Sequence, residues 1–140
     1  MIRFRMYNIK TDQFAILSET MPPDGIVLNV GIRFKYADNG KRIGCIAEFL
    51  FSAGDEKILI LNLTCEFEIN PDDWKGLVDG EVAVIPKNIL EYFAVHTIGT
   101  ARGILHCKTE GTPFNGIVLP PLDATKLVKG DLKINIAEDN

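Results

Sequence analysis

The stretch IVLNVGIRFKYADNGKRIGCIAEFLF, residues 26–51, decides the fold class of this chain. Ile26, Leu28, Val30, Ile32, Phe34 and Tyr36 share one side, while Asn29, Gly31, Arg33 and Lys35 mostly occupy the other. A period of two over this length is that of an antiparallel strand with one dry and one wet face. Asn39-Gly40 then breaks the pattern. That pair suits a type I′ hairpin turn, whose two central residues need positive φ. A second strand follows, with Ile43, Cys45, Ala47, Phe49 and Phe51 on one side.

The same reading extends outward. SAGDEK, residues 52–57, predicts the next turn, and beyond it Leu59, Leu61, Leu63, Cys65, Phe67 and Ile69 line one strand face. The opposite face of that strand carries Asn62, Thr64, Glu66 and Glu68 at one end and Ile58 and Ile60 at the other. Toward the start, Ile2, Phe4 and Met6 alternate with Arg3, Arg5 and Tyr7, the pattern fails over residues 10–13, and it resumes at 14–17. One bulged strand or two short ones fit this interruption. Together these segments predict a four-stranded antiparallel meander.

The period then changes. Asn70 as cap, Pro71 at the first position and the acids Asp72 and Asp73 predict a helical turn. Residues 76–84 read as a connection. From Pro86 onward, Ile89, Leu90, Phe93, Ala94, Ile98, Ala101 and Leu105 recur at helical spacing with a wide apolar arc. Gly99 and Gly103 each cost such a helix about 1 kcal/mol relative to Ala, and close approach of another backbone is one reason to carry them. The fold class is therefore α+β, a four-stranded antiparallel sheet followed by one long helix. Residues 1–125 are expected to form a single domain. Residues 126–140 read as a polar, acidic tail, either loose or a short strand.

Composition sets bounds on function. In 140 residues, apolar types make up 46% and charged types 24%, the balance of a folded domain. The net charge of −4, with Lys and Arg scattered, provides no basic face for nucleic acid. Three cysteines without CxxC spacing point to the cytoplasm rather than to a secreted disulfide framework. MIRFRMYNIK alternates instead of forming an apolar core, so no signal peptide is expected, and no apolar run is long enough for a membrane span.

Reactive groups do not converge. His106 and Cys107 are helix neighbours pointing about 100° apart. His96 lies ten residues earlier, and Cys45 and Cys65 sit mid-strand among aliphatics, where cysteine acts as a small hydrophobe. No metal, cofactor or catalytic residue is expected. Asp72 and Asp73 are accounted for by their place in a first helical turn, and Glu66 and Glu68 by a solvated sheet face. IGTARG, residues 98–103, lacks the Lys-Ser/Thr of a phosphate loop and does not follow a strand. What stands out is apolar surface. Several strands are apolar on parts of both faces, the helix is apolar over most of its girth, and FNGIVLPPL, residues 114–122, adds another run. Such a surplus predicts cover from another chain or a ligand, unless the run folds back on its own core.

PKNILEYFAVHTIGTARG, residues 86–103, resembles the helix signature of the SecB family of protein-export chaperones. The resemblance rests on Asn88-Ile89-Leu90, an aromatic at Tyr92 or Phe93, Ala94, and Arg102-Gly103. TPFNGIVLPPLD, residues 112–123, resembles the connection that follows that helix. The resemblance implies an antiparallel sheet with a helix beside it, dimers or tetramers, and apolar grooves that hold unfolded chains. The sequence departs from the family after Leu127, where Gly130 interrupts the place of a long second helix and no Cys or His matches the family's zinc-binding tail.

The expected activity is ATP-independent holding of apolar segments of non-native polypeptides, in general or for one client such as an antitoxin, by a homo-oligomer that inserts in no membrane. Candidate client-binding residues are Phe49, Phe67, Tyr92, Phe93, Phe114, Val118 and Leu119, chosen as large apolar groups near the sheet–helix seam. Gly99, Ala101 and Gly103 are the candidate oligomer interface. The alternatives are a hot-dog-like small-ligand or enzymatic domain, whose helix should follow the first strand, and an oligomeric adaptor subunit.

Overall fold

The computed structural model describes residues 1–37 and 41–136. Four long strands come first: β1 (Phe4–Ile16), β2 (Ile26–Ala37), β3 (Arg42–Ala53) and β4 (Glu56–Ile69). The β2–β3 hairpin pairs without a slip from Ile26↔Ala53 to Ala37↔Arg42. The Asn39-Gly40 turn expected between them lies outside the described residues. At the β3–β4 turn Gly54 takes φ 60°, a conformation that a β-carbon disfavours.

The sheet order is β1-β4-β3-β2. Strands β2 to β4 form a meander, but β1 joins at β4 instead of beside β2. The reason is the link over residues 17–25, which holds two prolines and is no hairpin turn. Side chains favour the β4 partner as well: Arg5 pairs with Glu68 at 3.3 Å, and Tyr7 and Asn8 donate to Glu66 at 3.0 and 2.7 Å. β1 is a single strand whose register shifts at Met6/Asn8 and Thr11/Gln13, which accounts for the interrupted alternation. A further shift between Phe51 and Ser52 leaves Ile58 as the extra residue of β4. Ile58 is fully buried with Leu59 and does not join Ile60 on the outer face.

α1 (Pro71–Lys75) is the expected capped turn: the Asn70 side chain accepts from the backbone amides of Asp72 and Asp73. The stretch read as a connection instead forms β5 (Val78–Asp79) and β6 (Val82–Ile85), turning at Gly80 with φ 65°. β7 (Leu132–Asn135) pairs with β6 and completes a second, three-stranded sheet. Ile134 of β7 is fully buried, so residues close to the end of the chain contribute to the core.

α2 (Lys87–Thr109) lies across β3 and β4. Its buried residues include all seven members of the expected arc. They meet the fully buried rows Ile43, Cys45 and Ala47 of β3 and Leu61, Leu63, Cys65 and Phe67 of β4. A single turn of 3-10 helix (Pro113–Gly116) and α3 (Ala124–Leu127) then pack against α2.

Candidate functional site

A helix is about 10–12 Å across, whereas four strands at about 4.8 Å spacing span nearly twice that. One helix therefore cannot cover the dry face of this sheet. On the β1 side aromatic rings fill the margin. Phe67 and Phe93 stack at 4.3 Å between centroids, and Phe4 meets Phe93 edge-on at 4.9 Å. Tyr92 and His96 rim this cluster at 6.5 and 5.9 Å from Phe4.

Among the described residues no such ring cluster fills the β2 side. Ile26, Leu28, Val30, Ile32 and Phe34 face the same way as the sealed row of β3, yet each remains only partly buried. Among the described residues β2 is also an edge strand, paired with β3 and without a bulge along its length. A long, regular, apolar edge is a template for another extended chain. β1, the other edge, carries two register shifts, and bulges of that kind blunt an edge.

Residues 117–123 form a strap without helix or strand beside this strip. Ile117 and Leu119 point inward and are buried, while Val118 is 61% exposed. Arg102 on α2 holds the strap by donating to the carbonyls of Leu119 and Pro120 at 3.0 and 3.1 Å. A depression of about 300 Å³ separates the strap from the β2 strip, lined by Met21, Ile26, Leu28, Phe51 and Val118. On the other side of the strap a second depression of about 410 Å³ lies over Gly99, Arg102, Gly103 and His106, and Val118 borders it too.

The expected client residues divide accordingly. Phe67, Phe93 and Tyr92 meet in the aromatic cluster. Phe114, Val118 and Leu119 belong to the strap end, and Phe49 lies under the sheet's dry face. Phe49, Phe67, Phe93, Phe114 and Leu119 are core side chains, buried within the subunit. Tyr92 and Val118 are exposed at 49% and 61%. Of the expected interface trio, Ala101 is fully buried against the sheet, because positions two apart on a helix point to nearly opposite sides. Gly99 and Gly103 face outward, and a β-carbon built on either would meet nothing within 4 Å. The partly buried row of β2 was absent from the sequence-derived site. Its alternation was visible, but its place at an edge follows from β1 choosing β4, which alternation does not encode.

Burial pushes the Cys45 thiol up to about 12 and the Cys65 thiol upward as well. Asn8 and Tyr7 donate to Glu66 and hold its carboxyl below the usual range. Among the described residues, no three His, Cys, Asp or Glu side chains are grouped to hold a metal ion. Within the same residues no helix is long and apolar enough to cross a membrane.

No family model and no curated protein matches the sequence. The fold does match solved structures. A SecB-like chaperone from Mycobacterium tuberculosis, solved in complex with a peptide from an antitoxin, superposes with a TM-score of 0.53 at 10% identity, over 86% of this chain and 91% of that one. A protein of unknown function from Streptococcus agalactiae aligns with a TM-score of 0.46 at 11% identity, over 86% of this chain and 99% of that one. The likeness to the chaperone is one of fold: a four-stranded antiparallel sheet followed by a long helix.

Proposed function

We propose that this protein is an ATP-independent holding chaperone that binds apolar segments of non-native or partner polypeptides. The observation that carries the reading is the only partly buried row Ile26, Leu28, Val30, Ile32 and Phe34 on a regular edge strand, beside a depression bordered by Val118. An extended apolar segment laid there buries what the single helix leaves open, and holding it removes that segment from aggregation by mass action. Phe51 and Ile117 line the depression between strip and strap, while Phe49, Phe114 and Leu119 are core side chains behind it. At the β1 side Tyr92 is the exposed member of the aromatic cluster and offers a second contact, with Phe67 and Phe93 buried behind it. The fold shared with a chaperone bound to an antitoxin peptide supports a polypeptide ligand, and dedication to one client is the narrower form of the same reading. A helix after four strands speaks against the hot-dog-like alternative, which places it after the first.

The working form is a homo-oligomer in the cytoplasm. Gly99 and Gly103 present an open helix face on which a second subunit's helix can seat closely, and from Tyr92 to Cys107 the only charged residue of α2 is Arg102, which is engaged with the strap.

The test is fluorescence anisotropy of a labelled, permanently unfolded polypeptide titrated with the purified protein. Saturable binding at micromolar concentration is expected, weakened at least tenfold by Val118→Asp, whose exposed position leaves folding intact. Absence of saturable binding overturns the reading. One stoichiometric folded partner and indifference to unfolded chains would favour the adaptor instead.

A further inference from the structure

Cys45 and Cys65 stand directly opposite one another across the β3–β4 ladder. Both belong to the row facing α2 and both are fully buried. Directly opposed residues of an antiparallel pair have Cα atoms about 4.5–5.5 Å apart. That lies inside the roughly 4.4–6.8 Å that a disulfide spans. The stretch of α2 packed over this row is sealed as tightly, with Phe93, Ala94, Thr97 and Ala101 all fully buried. The Thr97 hydroxyl is spent within α2, donating to the Phe93 carbonyl at 2.8 Å. Packing explains one buried cysteine. Two in register, under one helix, have a chemistry that neither has alone.

We propose that Cys45 and Cys65 are a conditional dithiol, sealed and reduced while α2 covers the sheet, which closes to a cross-strand disulfide when the helix lifts in the presence of a peroxide. One thiolate attacks a peroxide oxygen, the O–O bond breaks, and hydroxide leaves, taking up the thiol proton as water. The sulfur becomes a sulfenic acid. The partner thiol attacks that sulfur, the S–S bond forms, and a second water leaves. Two thiols and one peroxide give one disulfide and two waters. The seal has two parts. Burial pushes both thiols up, leaving little thiolate to react, and α2 blocks the approach. The third thiol, Cys107, is exposed on the far end of α2 and takes no part.

The test uses the full chain carrying Cys107→Ser, treated with hydrogen peroxide at rising urea below the unfolding midpoint. The reaction is quenched with N-ethylmaleimide, and the protein is digested without reduction and mapped by mass spectrometry. A linked Cys45–Cys65 peptide pair is expected, forming at least about tenfold faster at the highest sub-midpoint urea than without urea, as local opening becomes more frequent. With Cys65→Ala added, Cys45 has no resolving partner and should advance to sulfinic acid under the same treatment. Sulfinic acid at both cysteines without a linked pair overturns the proposal. So does a linked pair formed at a rate independent of urea, or no oxidation at any sub-midpoint urea.

Discussion

The guanidinium of Arg102 donates from Nε to the carbonyl oxygen of Leu119 at 3.0 Å, tying the middle of α2 to the strap that follows it. A second bond, from Nη2 to the Pro120 carbonyl at 3.1 Å, fixes the planar group against two successive peptides. Residues 117–123 belong to no helix or strand, so these bonds do what a ladder would otherwise do. Hydrogen bonds from a charged donor contribute about 1.5–3 kcal/mol when well made, and less where water competes. Arg102→Ala should therefore lower stability by about 1–2 kcal/mol in a denaturant titration. Amide exchange should accelerate in the strap and leave the sheet unchanged. Arg102→Lys should recover only part of the loss, since a single ammonium does not reproduce the fork.

The opposite margin of the sheet depends on charge. Arg3 donates to Asp73 from its backbone amide and from Nε, at 2.8 and 2.9 Å, joining the start of β1 to α1. The side-chain bond from Arg3, followed by its backbone amide, holds the Asp73 carboxyl below the usual 3.8. Hydrogen bonds from Asn8 and then Tyr7 hold Glu66 below 4.5. A carboxyl depressed by folding adds stability that is fully present above its unfolded pKa and is lost as pH falls through the folded one. The melting temperature should therefore be flat from neutrality to about pH 5 and decline below about pH 4. Asp73→Asn should make that decline shallower, and Glu66→Gln should do the same independently, because the two groups have different partners. Thermal scans from pH 7 to pH 3 decide it.

Most of this architecture was legible where a side chain's neighbours are local. The Asn70 cap, the β2–β3 alternation and the α2 arc follow from periods of two and 3.6 within single elements. Long-range choices were not. β1 pairs with β4 through Glu66 and Glu68, which along the sequence looked like members of a plain solvated face. β5 and β6 are too short to alternate visibly, and β6 is held between ladders to β5 on one side and to the distant β7 on the other. The same gap separated the expected binding residues from the exposed ones. Large apolar type marks Phe93 and Val118 alike, but only the helix's width against the sheet decides which is covered.

Phe93 illustrates the covered kind. It is fully buried, stacked on Phe67 at 11° between planes, and met edge-on by Phe4. Phe93→Ala removes the ring that joins helix to sheet and leaves a cavity in its place. A loss of about 3–5 kcal/mol is expected, a large part of the stability of an ordinary domain. Phe93→Leu should cost less than half as much. Tyr92→Ala, one position along and half exposed, should change stability by about 1 kcal/mol or less. Denaturation midpoints of the three variants test the distinction between core and surface aromatic on adjacent helix positions.

Gly99 and Gly103 separate folding from assembly. Within one subunit a β-carbon at either site meets nothing. Substitution by Ala should then stabilise the helix by about 0.5–1 kcal/mol per site, through propensity alone. If the open face is where a second α2 seats, a larger side chain there separates the two backbones. Gly99→Leu should leave the monomer folded, by circular dichroism and by its unfolding midpoint, while lowering the molar mass measured by light scattering from oligomer to monomer. A wild-type protein that is already monomeric at tens of micromolar would remove the assembly reading and leave the glycines unexplained by it. An oligomer unchanged by Gly99→Leu would move the interface off this face, to the free edge of β2 or the aromatic margin at Tyr92.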